Sequence, residues 1–361
     1  MNKLTLTEAL FCDLVWLSAL VFFYCRTYNT GHTKKTKGYF GLWLFIVLYS
    51  TFEFTGGDFF HYVEIYKQII QIKQEVHLEE FYCWLAVNLP HNFYIWRFVI
   101  WGLAAFFWVL TLRNLKQDVY FSGLWFVLVV FFLFVGARQS LCFSVQYYAL
   151  SLYFKHNRQK KIFSIVAVLI LLVSLSLHKT AIVYILILGI SFIPFGKRTL
   201  IVSVLIFPFV YKSFDYITEN FIDQYSFYNE GNAAVMEQYM NGEGETLNIW
   251  GIFKNIVNKT PIVILTIYSL NKVYSSKYVA DKLSRVLLNS SYLLIYISFL
   301  FLGRDISKFI APRFWDAAYF PLTLFWGKVL FENRKERIVK YSIVLFFASQ
   351  MYNIAYTIYK I

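Results

Sequence analysis

Apolar stretches of 16 to 20 residues recur from one end of this chain to the other, most of them bounded by Lys or Arg. A helix needs about 20 apolar residues to cross a bilayer, so the pattern predicts membrane-spanning helices. About twelve are read, near residues 6–24, 39–54, 94–112, 119–136, 138–154, 162–177, 180–195, 199–212, 260–275, 286–302, 313–331 and 341–359. Several are short, which leaves ten or eleven open. No internal repeat, coiled-coil heptad or low-complexity tract interrupts them. The expected fold is an all-α polytopic membrane protein, one domain over residues 1–361.

Two connections are long enough to hold structure of their own. In residues 55–93, Tyr62, Ile65, Tyr66, Ile69 and Ile70 recur at i, i+3, i+4, i+7 and i+8, which predicts an amphipathic helix lying in the membrane interface. Residues 213–248 carry Asp215, Glu219, Asp223, Glu230, Glu237, Glu243 and Glu245 with no Lys or Arg, and read first as a solvated lid or spacer. A short interfacial helix from Ile249 to Val257 completes an outer unit over 213–259. Pro261 is placed at the start of the next span, where its missing N–H does no harm.

Composition excludes a soluble enzyme. Of 361 residues, 58% are hydrophobic, 21% aromatic and 15% charged, against roughly 25% charged in a soluble domain. The net charge of +13, from 34 basic and 21 acidic residues, needs no nucleic acid, because positive charge on cytoplasmic loops orients membrane proteins. Cys12, Cys25, Cys83 and Cys142 lie too far apart for a metal motif and read as apolar filler. Arg26 and a basic loop follow the first span, which reads as a stop-transfer anchor rather than a cleavable signal.

Charge also sorts the loops. Residues 26–38 (Arg26, Lys34, Lys35, Lys37), 155–161 (Lys155, Arg158, Lys160, Lys161), Lys197–Arg198, 272–285 and 332–340 are net basic. They alternate with connections lacking the excess, which places basic loops inside and both termini and both long loops outside. The outer side then holds Asp58, His61, Arg97, Arg138, Gln139, His178, Lys179, Arg304, Asp305, Lys308, Arg313 and Asp316. Ionisable groups just inside a span or at its mouth mark a site or pathway by default.

Each has a plainer explanation to set beside that one. Arg138, Cys142 and Gln146 share a face too polar for lipid, although an arginine there can also snorkel to headgroups. His178 and Lys179 occupy a turn between two apolar helices, where the histidine is either an interfacial hydrogen-bonding group or a proton-transfer group. Asp58 follows Gly56-Gly57 and fits an N-cap as well as a catalytic carboxylate. His61 lies one turn on, Arg97 near a span start, and Arg313 and Asp316 fit an i, i+3 pair. Even so, arginines and a histidine from separate spans are the ingredients of a diphosphate site, for which the guanidinium fork is suited. No HExxH, Walker A, GxSxG or DxD motif is present, so neither metal nor cofactor is expected.

Arg138-Gln139-Ser140, followed about forty residues later by His178-Lys179-Thr180-Ala181, resembles the EpsG family, the Wzy-like polymerases of exopolysaccharide, capsule and O-antigen clusters. Asp58 with Tyr62 and Tyr66, the segment from Glu79-Glu80 to Asn92 and Tyr94, and a late arginine at 304 or 313 fit the same pattern. Thr180 stands where serine is common, which keeps the hydroxyl. The acidic loop 213–248 matches no family motif.

The resemblance implies a GT-C-like glycosyltransferase of the bacterial cytoplasmic membrane. Such enzymes join undecaprenyl-diphosphate-linked oligosaccharide repeat units, donor and acceptor alike, at the outer face, in some systems with a chain-length regulator. On this reading Arg138, Arg304 and Arg313, with Gln139, Lys179, Arg97 and His61, bind diphosphate or glycan, and Asp58 or His178 takes the acceptor proton. The alternatives are an O-antigen-type ligase, a transporter or flippase of lipid-linked glycans, and a membrane acyltransferase. A transporter is disfavoured because the inner halves of the spans lack charge.

Overall fold

The computed structural model describes residues 6–29, 38–52, 57–72, 80–130, 136–156, 161–178, 180–196, 198–199, 201–213, 249–275, 282–300 and 307–360. Among these it is all helical, without a strand. The helices are α1 (Leu6–Asn29), α2 (Tyr39–Phe52), α3 (Gly57–Lys67), α4 (Glu80–Asn88), α5 (Phe93–Asn114), α6 (Val119–Trp125) and α7 (Ala137–His156). They continue with α8 (Lys161–Ser174), α9 (Ala181–Ser191), α10 (Ile201–Ser213), α11 (Ile249–Ser275), α12 (Lys282–Leu300), α13 (Ser307–Glu332) and α14 (Arg337–Lys360).

Every apolar stretch read from the sequence coincides with a helix. Three of them, within α1, α5 and α12, are long and apolar enough to cross a membrane, and α2, α6, α8, α9 and α10 are shorter apolar helices. On α8, Ile162, Ile165, Val168, Leu169, Leu172 and Val173 are exposed, and on α10 so are Val204, Leu205 and Phe209. A contiguous apolar face of this kind is disfavoured in water and suits hydrocarbon. These helices point to a membrane-embedded protein.

Three local expectations change. Pro261 does not open a helix: α11 runs from Ile249 to Ser275 with the proline inside, so the packing of the helix outweighs the ladder bond and the steric freedom that an interior proline costs. The stripe of α3 is not left for the membrane interface. Tyr62, Ile65, Tyr66 and Ile69 are buried against Tyr82 and Leu85 of α4, Trp96 and Ile100 of α5 and Leu141 of α7. Asp58 is the second residue of α3, inside the first turn rather than at its cap. The acidic loop 214–248 lies outside the described residues.

Two polar devices hold the main helical packing. The last turn of α6 widens into a π-helical segment, Phe126–Val130, which disturbs the i→i−4 ladder. Its carbonyls at Val127 and Leu128 accept from Trp16 Nε1 of α1 (3.1 Å) and Gln350 Nε2 of α14 (3.3 Å). The second is Gln117, whose Nε2 donates to the Leu324 carbonyl of α13 (2.7 Å), while Ser122 donates to its Oε1 (2.9 Å) and Tyr39 to its own carbonyl (2.7 Å). Buried polar groups in an apolar surround are costly unless all are paired, and here one glutamine ties α2, α6 and α13 together.

A hydrogen-bonded candidate site around the start of helix 7

The site is built where α7 begins, beside the turn from α8 to α9. Helix α8 ends in tight i→i+3 bonds, with Leu175, Ser176 and Leu177 donating to Leu172, Val173 and Ser174, and this winding delivers His178 to the mouth of α9. Asn92 caps α5 by accepting from Tyr94 N (2.9 Å) and Ile95 N (3.3 Å), which fixes the helix that carries Trp96 and Arg97.

Arg138 is the second residue of α7 and half-buried. Its Nε donates to the Tyr62 hydroxyl (3.2 Å), and its guanidinium lies 5.7 Å from the centre of the Tyr62 ring. Tyr62 is held in turn by Trp96, ring to ring at 6.1 Å. Beneath them the fully buried Tyr82 of α4 directs its hydroxyl to the Leu177 carbonyl (3.0 Å) and, more weakly, to that of Arg138 (3.4 Å). Trp96 Nε1 donates to the Tyr82 carbonyl (3.1 Å). One tyrosine thus links the Arg138 backbone to the residue before His178.

The polar face of α7 looks into protein. Cys142 donates weakly to the Ser174 carbonyl (3.7 Å), and Gln146 Nε2 bonds Ser174 Oγ (3.1 Å) and the Ala181 carbonyl (3.3 Å). Gln139 Nε2 donates to the Tyr184 hydroxyl (2.9 Å). That hydroxyl also reaches Thr180, and Thr180 Oγ1 lies 2.7 Å from His178 Nδ1.

The direction of this chain is set at its end. The Thr180 backbone N–H donates to His178 Nδ1 (3.2 Å), so Nδ1 carries a lone pair and the neutral ring holds its proton on Nε2. The Thr180 hydroxyl therefore donates to Nδ1 and Gln139 donates to Tyr184, whose hydroxyl joins the two ends through Thr180. Gln139, Thr180 and His178 of the two motifs, joined by Tyr184, form one hydrogen-bonded relay, and in this tautomer the His178 proton sits on Nε2.

Arg313 of α13 is exposed, and its charge acts on the Tyr184 hydroxyl, while the neighbouring Phe314 packs on the Tyr184 ring at 5.8 Å. Two of the sequence-derived arginines, 138 and 313, therefore flank the relay. Arg97 is 8% exposed, which does not suit a side chain reaching out to headgroups. Asp58 and His61 fall in the opening turns of α3, and their side chains lie outside the described residues, as do Lys179 and Arg304. Asp316 faces Lys259 of α11 electrostatically rather than closing an i, i+3 pair with Arg313.

A model of the EpsG family matches residues 39–360. The chain belongs to the EpsG family. The match spans α2 to α14, so every part of the relay falls within it. No curated protein and no solved structure gives a match.

Sequence reasoning found the arginine, the glutamine and the histidine turn, and missed the tyrosines that connect them. Tyr184 stands one turn after Thr180 inside an otherwise apolar helix, and that spacing was the available signal. In the sequence Tyr62 belongs to an apolar stripe and Tyr82 to the short segment before α5, so neither stands out. Lys259, hidden between the acidic loop and a span, gave no signal.

Proposed function

We propose that this EpsG-family chain is a Wzy-like polysaccharide polymerase, a GT-C-like enzyme with about twelve spans in the bacterial cytoplasmic membrane. It joins undecaprenyl-diphosphate-linked oligosaccharide repeat units at the outer face. The observation that carries the reading is the relay Gln139–Tyr184–Thr180–His178 beside an Arg138 fixed by Tyr62. Donors and cations from separate helices converge there, which is what a leaving diphosphate requires.

In the proposed reaction the acceptor hydroxyl attacks the anomeric carbon of the donor, the carbon–oxygen bond to diphosphate breaks, and the electron pair leaves on the diphosphate. Arg138 and Arg313, with Arg304, Lys179 and Arg97, stabilise the growing negative charge. Gln139 acts through the relay, and His178 adds a neutral donor at Nε2. The acceptor proton goes to Asp58, since a His178 whose Nδ1 already accepts an N–H is poorly arranged to take it. His61 contributes to glycan binding. No cofactor is required, and diphosphate is held by cations without a metal, so chelation leaves polymerisation intact. Complete loss of activity restored by Mg²⁺ would refute that point.

The test is the Arg138 series in a strain deleted for this gene. Arg138→Ala abolishes polymer, Arg138→Lys, which keeps charge without the fork, strongly reduces it, and single lipid-linked units accumulate on the outer leaflet. Normal polymer length in the Ala variant overturns the reading, and units trapped on the inner leaflet turn it into a flippase.

A further inference from the structure

A second group of polar residues lies where α11 meets α13, and the relay does not use it. Lys259 Nζ sits 4.9 Å from the centre of the Trp315 ring. Asp316 follows Trp315 on α13 and is the carboxylate whose field Lys259 feels. Trp315 is buried, packs edge-on against Phe299 of α12 (5.8 Å), and donates through Nε1 to the hydroxyl of the buried Tyr319. The platform under Lys259 is thus held by Phe299 and Tyr319.

The two charged ends are not joined. Among the described residues Asp316 has no hydrogen bond and no ion pair, and Lys259 has neither, its packing on Trp315 aside. Both side chains are only partly exposed. A carboxylate and an ammonium in an apolar helical protein normally meet, because leaving either unpaired is expensive. Holding them apart is consistent with a guest that accepts from one and donates to the other.

A sugar hydroxyl does both at once. The group is also continuous with the relay: Arg313 and Phe314, the residues just before Trp315, are those that act on and pack against Tyr184.

We infer that Lys259 and Asp316 form a saccharide subsite that grips hydroxyls of the incoming acceptor repeat unit. Asp316 accepts hydrogen bonds from the sugar, Lys259 donates to a neighbouring oxygen, and Trp315 keeps Lys259 in place. The inference rests on the polymerase reading, with Asp58 retained as proton acceptor, so its signature is weaker acceptor binding at preserved turnover.

The experiment uses purified full-length protein in detergent, with undecaprenyl-diphosphate-linked repeat units extracted from the deletion strain as both donor and acceptor. Initial rates are measured against their concentration for wild type, Asp316→Asn and Lys259→Gln, together with the melting temperature of each protein. The expected result is an apparent KM raised about tenfold in each variant, with kcat within about threefold and melting temperature unchanged. An unchanged KM in Asp316→Asn overturns the inference, and so does a fall in kcat alone. Loss of folded protein in both variants, or full recovery in the swapped Lys259→Asp/Asp316→Lys protein, overturns it by showing a structural charge pair. Wild-type protein that makes no polymer sinks the polymerase reading instead.

Discussion

Arg138 Nε is 3.2 Å from the Tyr62 hydroxyl, and the Arg138 guanidinium stands 5.7 Å from the centre of the same ring. A single tyrosine therefore restrains the arginine twice, by a directed hydrogen bond and by its π face. Tyr62→Phe separates the two restraints, because it keeps the ring and removes the hydroxyl. Polymerisation is expected to fall about tenfold in rate, a value typical for loss of a hydrogen bond to a charged group. Tyr62→Leu, which removes both, is expected to approach Arg138→Ala. Equal rates for Phe and wild type would show that the ring alone positions Arg138.

The packing makes its own prediction at Gly327. A Cβ added there falls on Gln117 Oε1 and lies 3.0 Å from Ser122 Oγ. To make room, Gln117 must give up bonds to Ser122 and the Leu324 carbonyl, leaving buried polar atoms unpaired. Gly327→Ala is expected to cost about 2 to 3 kcal/mol, read as a lower melting temperature of the purified protein. Gly41→Ala is the control, since nothing lies within 4 Å of its added Cβ and alanine is the better helix former. Equal melting temperatures for the two variants would show that Gln117 moves freely.

A pH-dependent contact closes the turn between α13 and α14. Tyr268 donates to Glu336 Oε2, and Lys272 Nζ reaches Oε1 at 3.0 Å. These hold the Glu336 carboxyl below the usual carboxylate range, the tyrosine hydrogen bond first and the lysine after it. A depressed carboxylate contributes stability that is fully present above its unfolded pKa of about 4.3 and is lost as pH falls through the lower folded value. The Glu336 side chain is 40% exposed, so solvent screens the contact and the contribution is small. The melting-temperature gap between wild type and Tyr268→Phe is expected at pH 6 to 7 and should close in acid. A gap that widens in acid would reverse the sign of the argument.

Legibility followed the physics of each feature. Apolar runs bounded by charge located the helices, because burying or lipidating such a run is dictated by its own residues. The face Arg138–Cys142–Gln146 was readable from i+4 spacing alone, and it does meet polar partners at Ser174 and Ala181. What a stripe packs against is not local information. Tyr62 and Tyr66 have the same periodicity whether they meet lipid or Trp96, and only the tertiary arrangement decides. Pro261 gave a start signal that the continuous helix overrode. Lys259 and Asp316 come from distant positions, and no spacing rule relates them.

The tautomer of His178 bears on whether Asp58 or His178 takes the acceptor proton, the two residues the sequence offers for that role. With Nδ1 accepting from the Thr180 N–H at 3.2 Å, the neutral ring presents a proton at Nε2, and the relay from Gln139 stabilises that state by ending on the Nδ1 lone pair. A glutamine side chain can place an amide N–H near the Nε2 position, whereas the shorter asparagine mimics the Nδ1 side. If His178 donates to the leaving diphosphate, His178→Gln retains a substantial fraction of polymerisation. His178→Asn and His178→Ala then lose about ten- to a hundredfold. If His178 instead takes the acceptor proton, neither amide can do so and all three variants fail alike, leaving Asp58→Asn with residual activity. Initial rates for these four proteins at saturating repeat unit decide the matter, with the rise of rate with pH following the base and not the donor.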